Sequence, residues 1–288
     1  MDYGNCNLCP RQCGVDRTAG QRGFCGCPDI ALVAKAMLHK WEEPALAGSG
    51  GSGAVFFGGC TLGCRYCQNA AISGGAVGKA TDSAGLRRLF EDLIARGAEN
   101  IDLVTPTHFL PTILPALSPK LPVPVVYNCG GYERVETLRA LEGCVDIYLP
   151  DFKYADARLA GQLSGAADYF PVAADAIREM VRQVGAVRWE GEKVTRGVII
   201  RHLILPGNVE NSLRVLDWIG ENFAPGEVLV SLMRQYTPMG GLPAPFDRRV
   251  TGEEYDAVLS WMYLNELEGF TQEAEAADTG FIPDFLPD

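Results

Sequence analysis

Short, dense apolar runs alternate with amphipathic stretches along most of this chain. Six of these runs are rich in Val, Ile and Leu and are flanked by Gly or Pro, which is typical of strands buried on both faces of a parallel sheet. The pattern therefore predicts short strands in a fully covered sheet. They lie at residues 54–57, 101–104, 123–127, 145–149, 198–205 and 228–232.

Between these runs, apolar residues recur at the three- and four-residue spacing of a helix face. One predicted helix begins at a cap formed by Asp82 and Ser83 and ends at Gly97. A second spans about 172–184, and a third follows Thr251. The predicted inward faces carry Leu86, Leu89, Phe90, Leu93 and Ile94 in the first helix, Ile177, Met180, Val181 and Val184 in the second, and Tyr255, Val258, Leu259, Met262 and Tyr263 in the third.

Strands that alternate with helices imply repeated βαβ units, and six such units make an α/β fold with an open, partial (βα)6 barrel of the TIM type. We expect a Cys-rich extension at 1–47, the barrel at 48–250, and a C-terminal helix and tail at 251–288 packed on the barrel. The small residues of 48–53 are expected to form a flexible linker. A small hairpin insertion is predicted between Gly185 and Gly197.

Composition narrows the class of protein. A chain of 288 residues is long enough for one such barrel, and its net charge of −11 disfavours a nucleic-acid partner, because that binding needs Lys and Arg to neutralise phosphates. No apolar run approaches the roughly 20 residues of a membrane span, and no signal-peptide pattern is visible. The ten clustered cysteines are typical of metal ligation in a reducing cytosol, so we expect a cytoplasmic protein.

The clearest chemical signal is the spacing C-x3-C-x2-C, formed by Cys60, Cys64 and Cys67 directly after the first predicted strand. A structural zinc site closes with four protein ligands, whereas a cubane iron–sulfur cluster held by three cysteines leaves one iron open to an outside ligand. Three thiolates therefore favour a [4Fe–4S] cluster. The alternative is a zinc knuckle that takes its fourth ligand from elsewhere in the chain.

This spacing, with the aromatic Tyr66 before its last cysteine, resembles the signature of the radical S-adenosylmethionine (radical SAM) superfamily. The resemblance implies a partial barrel of the radical SAM kind, in which SAM binds the open iron and is reductively cleaved to a 5′-deoxyadenosyl radical. It also implies an oxygen-sensitive oxidoreductase that works anaerobically with a flavodoxin- or ferredoxin-type electron donor. Tyr66 is expected beside the cofactor.

The other strand ends are expected to complete the site, because chemistry in such barrels gathers where strands end and βα loops begin. Many radical SAM proteins carry Gly-Gly-Glu after the second strand, where this chain has Thr105, Thr107 and His108. These three are predicted to bind SAM instead, although His108 can equally be a structural histidine. The remaining predicted cofactor-binding residues are Asn128, Asp151, Lys153, Arg201 and His202, and the predicted catalytic residues are Cys129 and Lys153.

Strand periodicity refines two of these predictions. Asp151 and Lys153 are two residues apart in an extended segment and therefore point to the same side. Arg201 and His202 are adjacent and point to opposite faces, so at most one of them enters the cavity, and we favour Arg201. Lys153 is a candidate for pairing with the SAM carboxylate, with Asp151 orienting the lysine, and Arg201 is the residue of the fifth strand that we favour for binding a carboxylate.

A wider set of strings resembles the pyruvate formate-lyase activating enzyme group, and within it the PflX-like branch. The resemblance implies an activating enzyme that abstracts hydrogen from a glycine of a glycyl-radical partner. A radical SAM enzyme acting on a small metabolite or a peptide, and a non-enzymatic zinc or iron–sulfur module, are the alternatives. The strings lie at 6–13, 39–44, 51–53, 60–69, 105–109, 151–153, 201–207 and 235–238.

The extension has its own cysteine pattern, C-x2-C-x3-C-x11-C, formed by Cys6, Cys9, Cys13 and Cys25, with Cys27 as an alternative ligand. Four thiolates suit either zinc, as a structural clip, or a second [4Fe–4S] cluster, as an electron relay. Glu42 and Glu43 join the extension to the barrel and are expected to be ordinary solvated charges.

Overall fold

The structure is a computed structural model in which residues 2–272 and residue 285 are described. The strands are β1 (Ala31–His39), β2 (Ser52–Phe57), β3 (Lys79–Thr81), β4 (Ile101–Val104), β5 (Val125–Cys129), β6 (Ile147–Pro150), β7 (Arg188–Glu190), β8 (Lys193–Leu203), β9 (Leu229–Met233) and β10 (Gly269–Thr271). The helices are α1 (Pro44–Ala47), α2 (Ala70–Ser73), α3 (Ser83–Ala95), α4 (Leu110–Ala116), α5 (Val135–Arg139), α6 (Ala157–Ser164), α7 (Tyr169–Val184), α8 (Val209–Asn222) and α9 (Gly252–Leu264).

Six parallel strands form the centre of the sheet in the order β9-β8-β6-β5-β4-β2. This order follows the chain, and helices connect successive strands. The arrangement confirms the predicted partial (βα)6 barrel. It also places the carboxyl ends of all six strands at one edge, which is where sites form in barrels of this type.

The sheet continues beyond these six strands at both ends. β10 pairs with β9, and β1 pairs with β2 and β3 in antiparallel fashion. Because β1 belongs to the predicted extension, the sheet crosses the boundary expected at residue 48. The expected linker at 48–53 is instead packed backbone: a Cβ on Gly50 would lie 2.2 Å from the Gly97 carbonyl oxygen. Glycine is needed there for close approach rather than for flexibility.

Successive residues of each strand point to opposite sides of the sheet. Val55 and Phe57 of β2 pack in the large core formed with the outer helices, whereas Ala54 and Phe56 belong to a separate inner cluster. The short helix α1 fills the inner side of the sheet. Its residues Ala45 and Leu46 pack against Val126, Ile147, Leu149, Ile199 and Leu229.

The predicted helices are present with small differences. Asp82 caps α3 by accepting a hydrogen bond from the Gly85 backbone N–H, and α9 begins with a capping box between Thr251 and Glu254. Tyr263, which was predicted to face inward, is 64% exposed. The predicted hairpin is present as β7 and the start of β8, so the hairpin and the fifth predicted strand share one strand.

The rest of the predicted tail, 273–284 and 286–288, lies outside the described residues. Among the helices that are described, none is long and apolar enough to cross a bilayer.

Candidate active site

The three central cysteines stand on a loop that leaves β2 at the carboxyl edge of the sheet, and we call residues 60–67 the cluster-binding loop. Each sulfur accepts a hydrogen bond: the Leu62 N–H donates to Cys60 Sγ (3.4 Å), the Ser164 hydroxyl to Cys64 Sγ (3.2 Å), and the Ser73 hydroxyl to Cys67 Sγ (3.6 Å). Hydrogen bonds to sulfur are one of the means by which proteins set the potential of an iron–sulfur cluster.

All three cysteines line one cavity of about 220 Å³. Burial raises the pKa of Cys60 to about 12 and raises that of Cys64 as well. Buried thiols of this kind become thiolates when a metal supplies positive charge. Among the described residues, no three His, Cys, Asp or Glu side chains are arranged as ligands of a single metal ion. Three thiols around a cavity fit a cubane, because each sulfur then binds a different iron.

The opposite wall of this cavity is charged. Lys153 Nζ lies 2.6 Å from Asp151 Oδ2, and Arg201 Nε lies 3.1 Å from Asp151 Oδ1. Burial opposes ionisation of Asp151, but Lys153 and Arg201 together lower its pKa below the ordinary value. Burial likewise opposes the charge on Lys153, and Asp151 raises the pKa of that amine. The three side chains therefore stay charged beside the cysteines.

Contacts with other residues of the protein hold the Arg201 side chain in place. Its Nη2 donates to Asn128 Oδ1 at 2.6 Å, and its Nη1 lies 3.2 Å from Glu42 Oε1. The Glu42 side chain is only 9% exposed, so the expectation of a solvated charge is wrong for this residue. Burial raises the pKa of the neighbouring Glu43 to about 7.

Four further predicted residues line the cavity: Tyr66, Thr105, Asn128 and Cys129. Thr105 has a left-handed backbone with φ of 59°, an uncommon conformation for a residue other than glycine. Tyr66 is buried, and its hydroxyl lies 2.7 Å from that of Tyr154. Cys129 is 2% exposed and lies beside the carboxyl of Glu133, so the predicted catalytic thiol is held within the cavity wall.

The structure does not bring the other three predicted residues to this cavity. The Thr107 hydroxyl donates to Glu133 Oε1 at 2.8 Å, and His108 Nε2 lies 2.8 Å from the Gly58 carbonyl oxygen. His202 bridges the Phe152 carbonyl oxygen (2.7 Å) and the Ser212 hydroxyl (2.8 Å). Burial lowers the pKa of both histidines to about 4, so both are neutral. Their surroundings favour structural roles over cofactor contact.

Several polar residues near the site were not predicted from the sequence to belong to it. Gln68 and Asn69 line the cavity directly after the last cysteine. Asp102 is fully buried, and burial beside Glu42 raises its pKa well above the ordinary range. Glu133 is 2% exposed, and burial raises its pKa to about 8. Asp102 could have been predicted as a site residue, because an acidic residue inside an apolar strand is unusual. Nothing in the sequence around Glu133 marks that residue in the same way.

A second, larger cavity of about 670 Å³ adjoins the first, and the two share Arg201, Met233 and Gln235 in their linings. Its other walls are the segment from Lys40 to Gly48 and the strand β10. Trp41 stands at this cavity and is 67% exposed. The cavity that contains the cluster cysteines therefore lies next to a larger cavity, with Arg201, Met233 and Gln235 in the wall of both.

The N-terminal cysteines differ in their surroundings, and among the described residues no three of them are arranged as ligands of a single metal ion. Cys9 is buried, and its pKa rises to about 12 through burial, with Glu133, Cys25 and Cys13 close enough to contribute. A hydrogen bond from the Cys27 thiol lowers the pKa of Cys25 to about 6. Cys6 is buried beside Arg17, whose Nη1 lies 3.9 Å from its sulfur, and Cys13 is exposed. Metal binding by this group stays a prediction.

Comparisons with known proteins agree with this geometry. The sequence model of a family described as a 4Fe-4S single cluster domain matches residues 46–108, a segment that includes Cys60, Cys64 and Cys67. An uncharacterized protein of Methanocaldococcus jannaschii, MJ0674, is 29% identical over 273 residues, which cover 89% of this chain and 74% of that protein.

Two solved structures show the same fold at low identity. A radical SAM methyltransferase from Sphaerobacter thermophilus superposes with a TM-score of 0.54 and 13% identity, over 76% of this chain and 65% of that chain. Streptococcus suis SuiB, bound to the precursor peptide SuiA, superposes with a TM-score of 0.50 and 12% identity, over 76% of this chain. This chain spans 47% of the SuiB chain.

The cysteine spacing and the matched 4Fe-4S segment fall on the same part of the chain, at the carboxyl edge of the shared barrel fold. The three thiols occupy the carboxyl edge of a partial (βα)6 barrel, beside a cavity and a buried charged wall. The chain shares the fold of the radical SAM methyltransferase and carries, over residues 46–108, a segment similar to a 4Fe-4S single cluster domain.

Proposed function

We propose that this protein reductively cleaves SAM at a [4Fe–4S] cluster held by Cys60, Cys64 and Cys67 and uses the product for hydrogen abstraction. The observation that carries the proposal is that these thiols share one cavity with Lys153 and Asp151. A cluster bound there supplies the electron that converts SAM to methionine and a 5′-deoxyadenosyl radical.

The chain's own residues then bind and shield the cofactor. Lys153 directs an ammonium into the cavity and uses one of its three N–H donors on Asp151, so it can also hold a carboxylate. Asp151 keeps that lysine charged and in place. The apolar side chains of Leu62, Val104 and Leu203 line the same cavity and limit the access of water.

We further propose that the substrate enters through the outer cavity of about 670 Å³, since that cavity meets the inner one at Arg201, Met233 and Gln235. Activation of a glycyl-radical partner is the form of this activity that the wider sequence resemblance supports. A peptide or small metabolite as hydrogen donor is the second candidate, because SuiB, a protein of the same fold, binds a precursor peptide.

The decisive experiment is anaerobic. Reconstituted protein is mixed with SAM and dithionite, and 5′-deoxyadenosine is measured. The Cys64→Ala variant should release none, whereas Cys144→Ala, which changes a cysteine outside the cavity, should match the wild type. Turnover that survives in Cys64→Ala contradicts the assignment. A SAM-dependent change in the electron paramagnetic resonance (EPR) spectrum excludes a non-enzymatic metal module.

The substrate is tested separately. A partner protein is captured anaerobically and examined by EPR after SAM and reductant are added. A protein-centred radical on the partner supports glycyl-radical activation. Product formation that depends instead on a low-molecular-weight fraction of the cell extract supports a metabolite.

A further inference from the structure

Arg11, which stands between Cys9 and Cys13 in the Cys-rich extension, hydrogen-bonds the cluster-binding loop. Its Nε donates to the Thr61 carbonyl oxygen (3.1 Å) and its Nη2 to that of Leu62 (3.1 Å). Both carbonyls belong to the segment between Cys60 and Cys64. Arg11 therefore holds the backbone that carries two of the three cluster cysteines.

The same guanidinium also binds the end of α6. Its Nη2 donates to the Ser164 carbonyl oxygen (2.9 Å) and its Nη1 to that of Gly165 (2.5 Å). The last carbonyls of a helix have no partner within the helix, and a positive charge there is favoured by the helix dipole. Only arginine offers five N–H donors in a rigid plane, which suits four carbonyls converging from two segments.

The end of α6 in turn touches the cluster ligand Cys64. The Ser164 hydroxyl donates to Cys64 Sγ, and the Leu163 carbonyl oxygen accepts from the Arg65 N–H at 2.8 Å. Arg11 thus joins the loop to a helix end that hydrogen-bonds the cluster sulfur of Cys64. Two aromatic rings flank the guanidinium: its carbon lies 3.9 Å from the centre of the Phe24 ring and 5.3 Å from that of Tyr132.

A second contact from the extension meets the start of the loop. The Cys27 side chain is fully buried, and its sulfur lies 3.3 Å from the Gly58 carbonyl oxygen. A Cβ on Gly59, the residue before Cys60, would lie 2.2 Å from that sulfur. The extension is therefore packed on both the entry and the first turn of the cluster-binding loop.

We propose that Arg11 is a positioning residue through which the Cys-rich extension fixes the cluster-binding loop and the Ser164–Cys64 hydrogen bond. This inference rests on the proposed function for its catalytic consequence. The structural part, that Arg11 orders residues 60–67, stands independently of the reaction.

The test compares Arg11→Ala with Arg134→Ala in the full, reconstituted chain. Arg134 is a matched control, because it also ties the extension to the barrel, by donating to the Asn7 carbonyl oxygen at 2.5 Å, without touching the cluster-binding loop. Hydrogen exchange of residues 60–67 is followed by mass spectrometry, and the potential of the SAM-responsive cluster is measured by EPR-monitored titration.

In Arg11→Ala, amide exchange in 60–67 should accelerate at least tenfold, the cluster potential should fall, and 5′-deoxyadenosine release should drop at least tenfold. Added methylguanidinium should partly restore the amide exchange rate, the cluster potential and the release of 5′-deoxyadenosine. It would not restore them if the variant had only lost overall stability. Should Arg11→Ala fail to accumulate as folded protein, Arg11→Lys, which keeps the charge but not the planar fork, is measured in the same way.

Exchange and potential in the Arg11 variant equal to those of Arg134→Ala would overturn the inference. The two proposals fail separately. A wild-type protein that releases no 5′-deoxyadenosine contradicts the proposed function, while the exchange measurement still decides whether Arg11 orders the loop.

Discussion

Lys153 and Arg201 differ in how many of their hydrogen-bond donors are already used by contacts within the protein. Each of the three guanidinium nitrogens of Arg201 contacts an oxygen, on Asp151, Glu42 and Asn128. Within the described part of the chain, Lys153 Nζ has one such contact, to Asp151. Both were candidates for the SAM carboxylate, and the geometry favours Lys153, because its remaining N–H donors can turn to a ligand without breaking an existing bond.

Lys153→Met should therefore weaken SAM binding about 10- to 100-fold, which corresponds to one hydrogen bond to a charged group. Methionine keeps the length of the side chain and removes the charge. Binding is measured by anaerobic titration calorimetry on reconstituted protein. Lys120→Met, at an exposed lysine paired with Asp146, is the control and should bind like the wild type. An affinity for SAM unchanged in Lys153→Met would assign the carboxylate to another residue.

His202 gives a prediction about pH. Burial lowers its pKa to about 4, below the ordinary value of 6.5, so the unfolded chain binds a proton more readily than the folded one. Its contribution to stability is present above pH 6.5 and is lost as pH falls from 6.5 towards 4. His202→Gln removes this titration while leaving every other group in place.

Between pH 7 and pH 5.5, the loss of unfolding free energy should be about 1 kcal/mol smaller in His202→Gln than in the wild type. Anaerobic guanidinium unfolding at the two pH values measures the difference. The variant is expected to be less stable at both, because the Phe152 carbonyl and the Ser212 hydroxyl lose their imidazole partner. Parallel pH dependences in the two proteins would show that His202 does not carry this linkage.

For single residues, the sequence predicted the direction of a side chain correctly where strand periodicity alone determines that direction. Arg201 and His202 do point to opposite faces, and Arg201 is the one that lines the cavity. The prediction of side-chain position was wrong where a turn of the backbone, or a contact with a residue far away in the sequence, determines that position. After Thr105 the chain turns into a 3-10 helix at Thr107–Phe109, which carries His108 away from the cavity. The partner of Glu42 is an arginine 159 positions away, which no local pattern reveals.

At the scale of elements, the six parallel strands were predictable because each is buried on both faces and so forms an unbroken apolar run. Their bounds shifted by a few residues, except that β8 begins at Lys193, where its first residues pair with the exposed β7. The join between β2 and the cluster-binding loop was not predictable. It depends on Cys27, which lies in a different segment and packs against Gly58 and Gly59.

Gly59→Ala tests that join. Gly59 has φ of 78°, and a Cβ there would meet both the Cys27 sulfur and the Cys25 carbonyl oxygen. The backbone strain and the overpacking should lower the unfolding free energy by about 2 kcal/mol and reduce the iron bound on reconstitution. Gly75→Ala is the control, since a Cβ at Gly75 meets nothing within 4 Å. Equal stability and equal iron content in the two variants would show that the loop entry tolerates displacement.

At the scale of the whole molecule, the sheet connects two parts that the sequence suggested were separate. β1 lies in the extension and pairs with the first barrel strand, β2, so the extension and the barrel share one sheet. The inner cavity opens into the outer one beside Arg201, which binds both Asp151 near the cysteines and Glu42 near the outer chamber. A substrate in the outer cavity would lie directly next to the residues that surround the cofactor.

The extension completes this arrangement if its cysteines hold a metal. Cys13 and Cys25 both contribute to the raised pKa of Cys9, and Arg11 stands between Cys9 and Cys13 in the sequence. The double variant Cys9→Ala/Cys13→Ala should lose one zinc or about four irons per chain, measured by elemental analysis after anaerobic reconstitution. Cys144→Ala, the control, should keep the wild-type content. Because Cys60, Cys64 and Cys67 are intact in the double variant, its SAM-responsive EPR signal should remain. Unchanged zinc and iron would show that the extension folds onto the cluster-binding loop without a metal of its own.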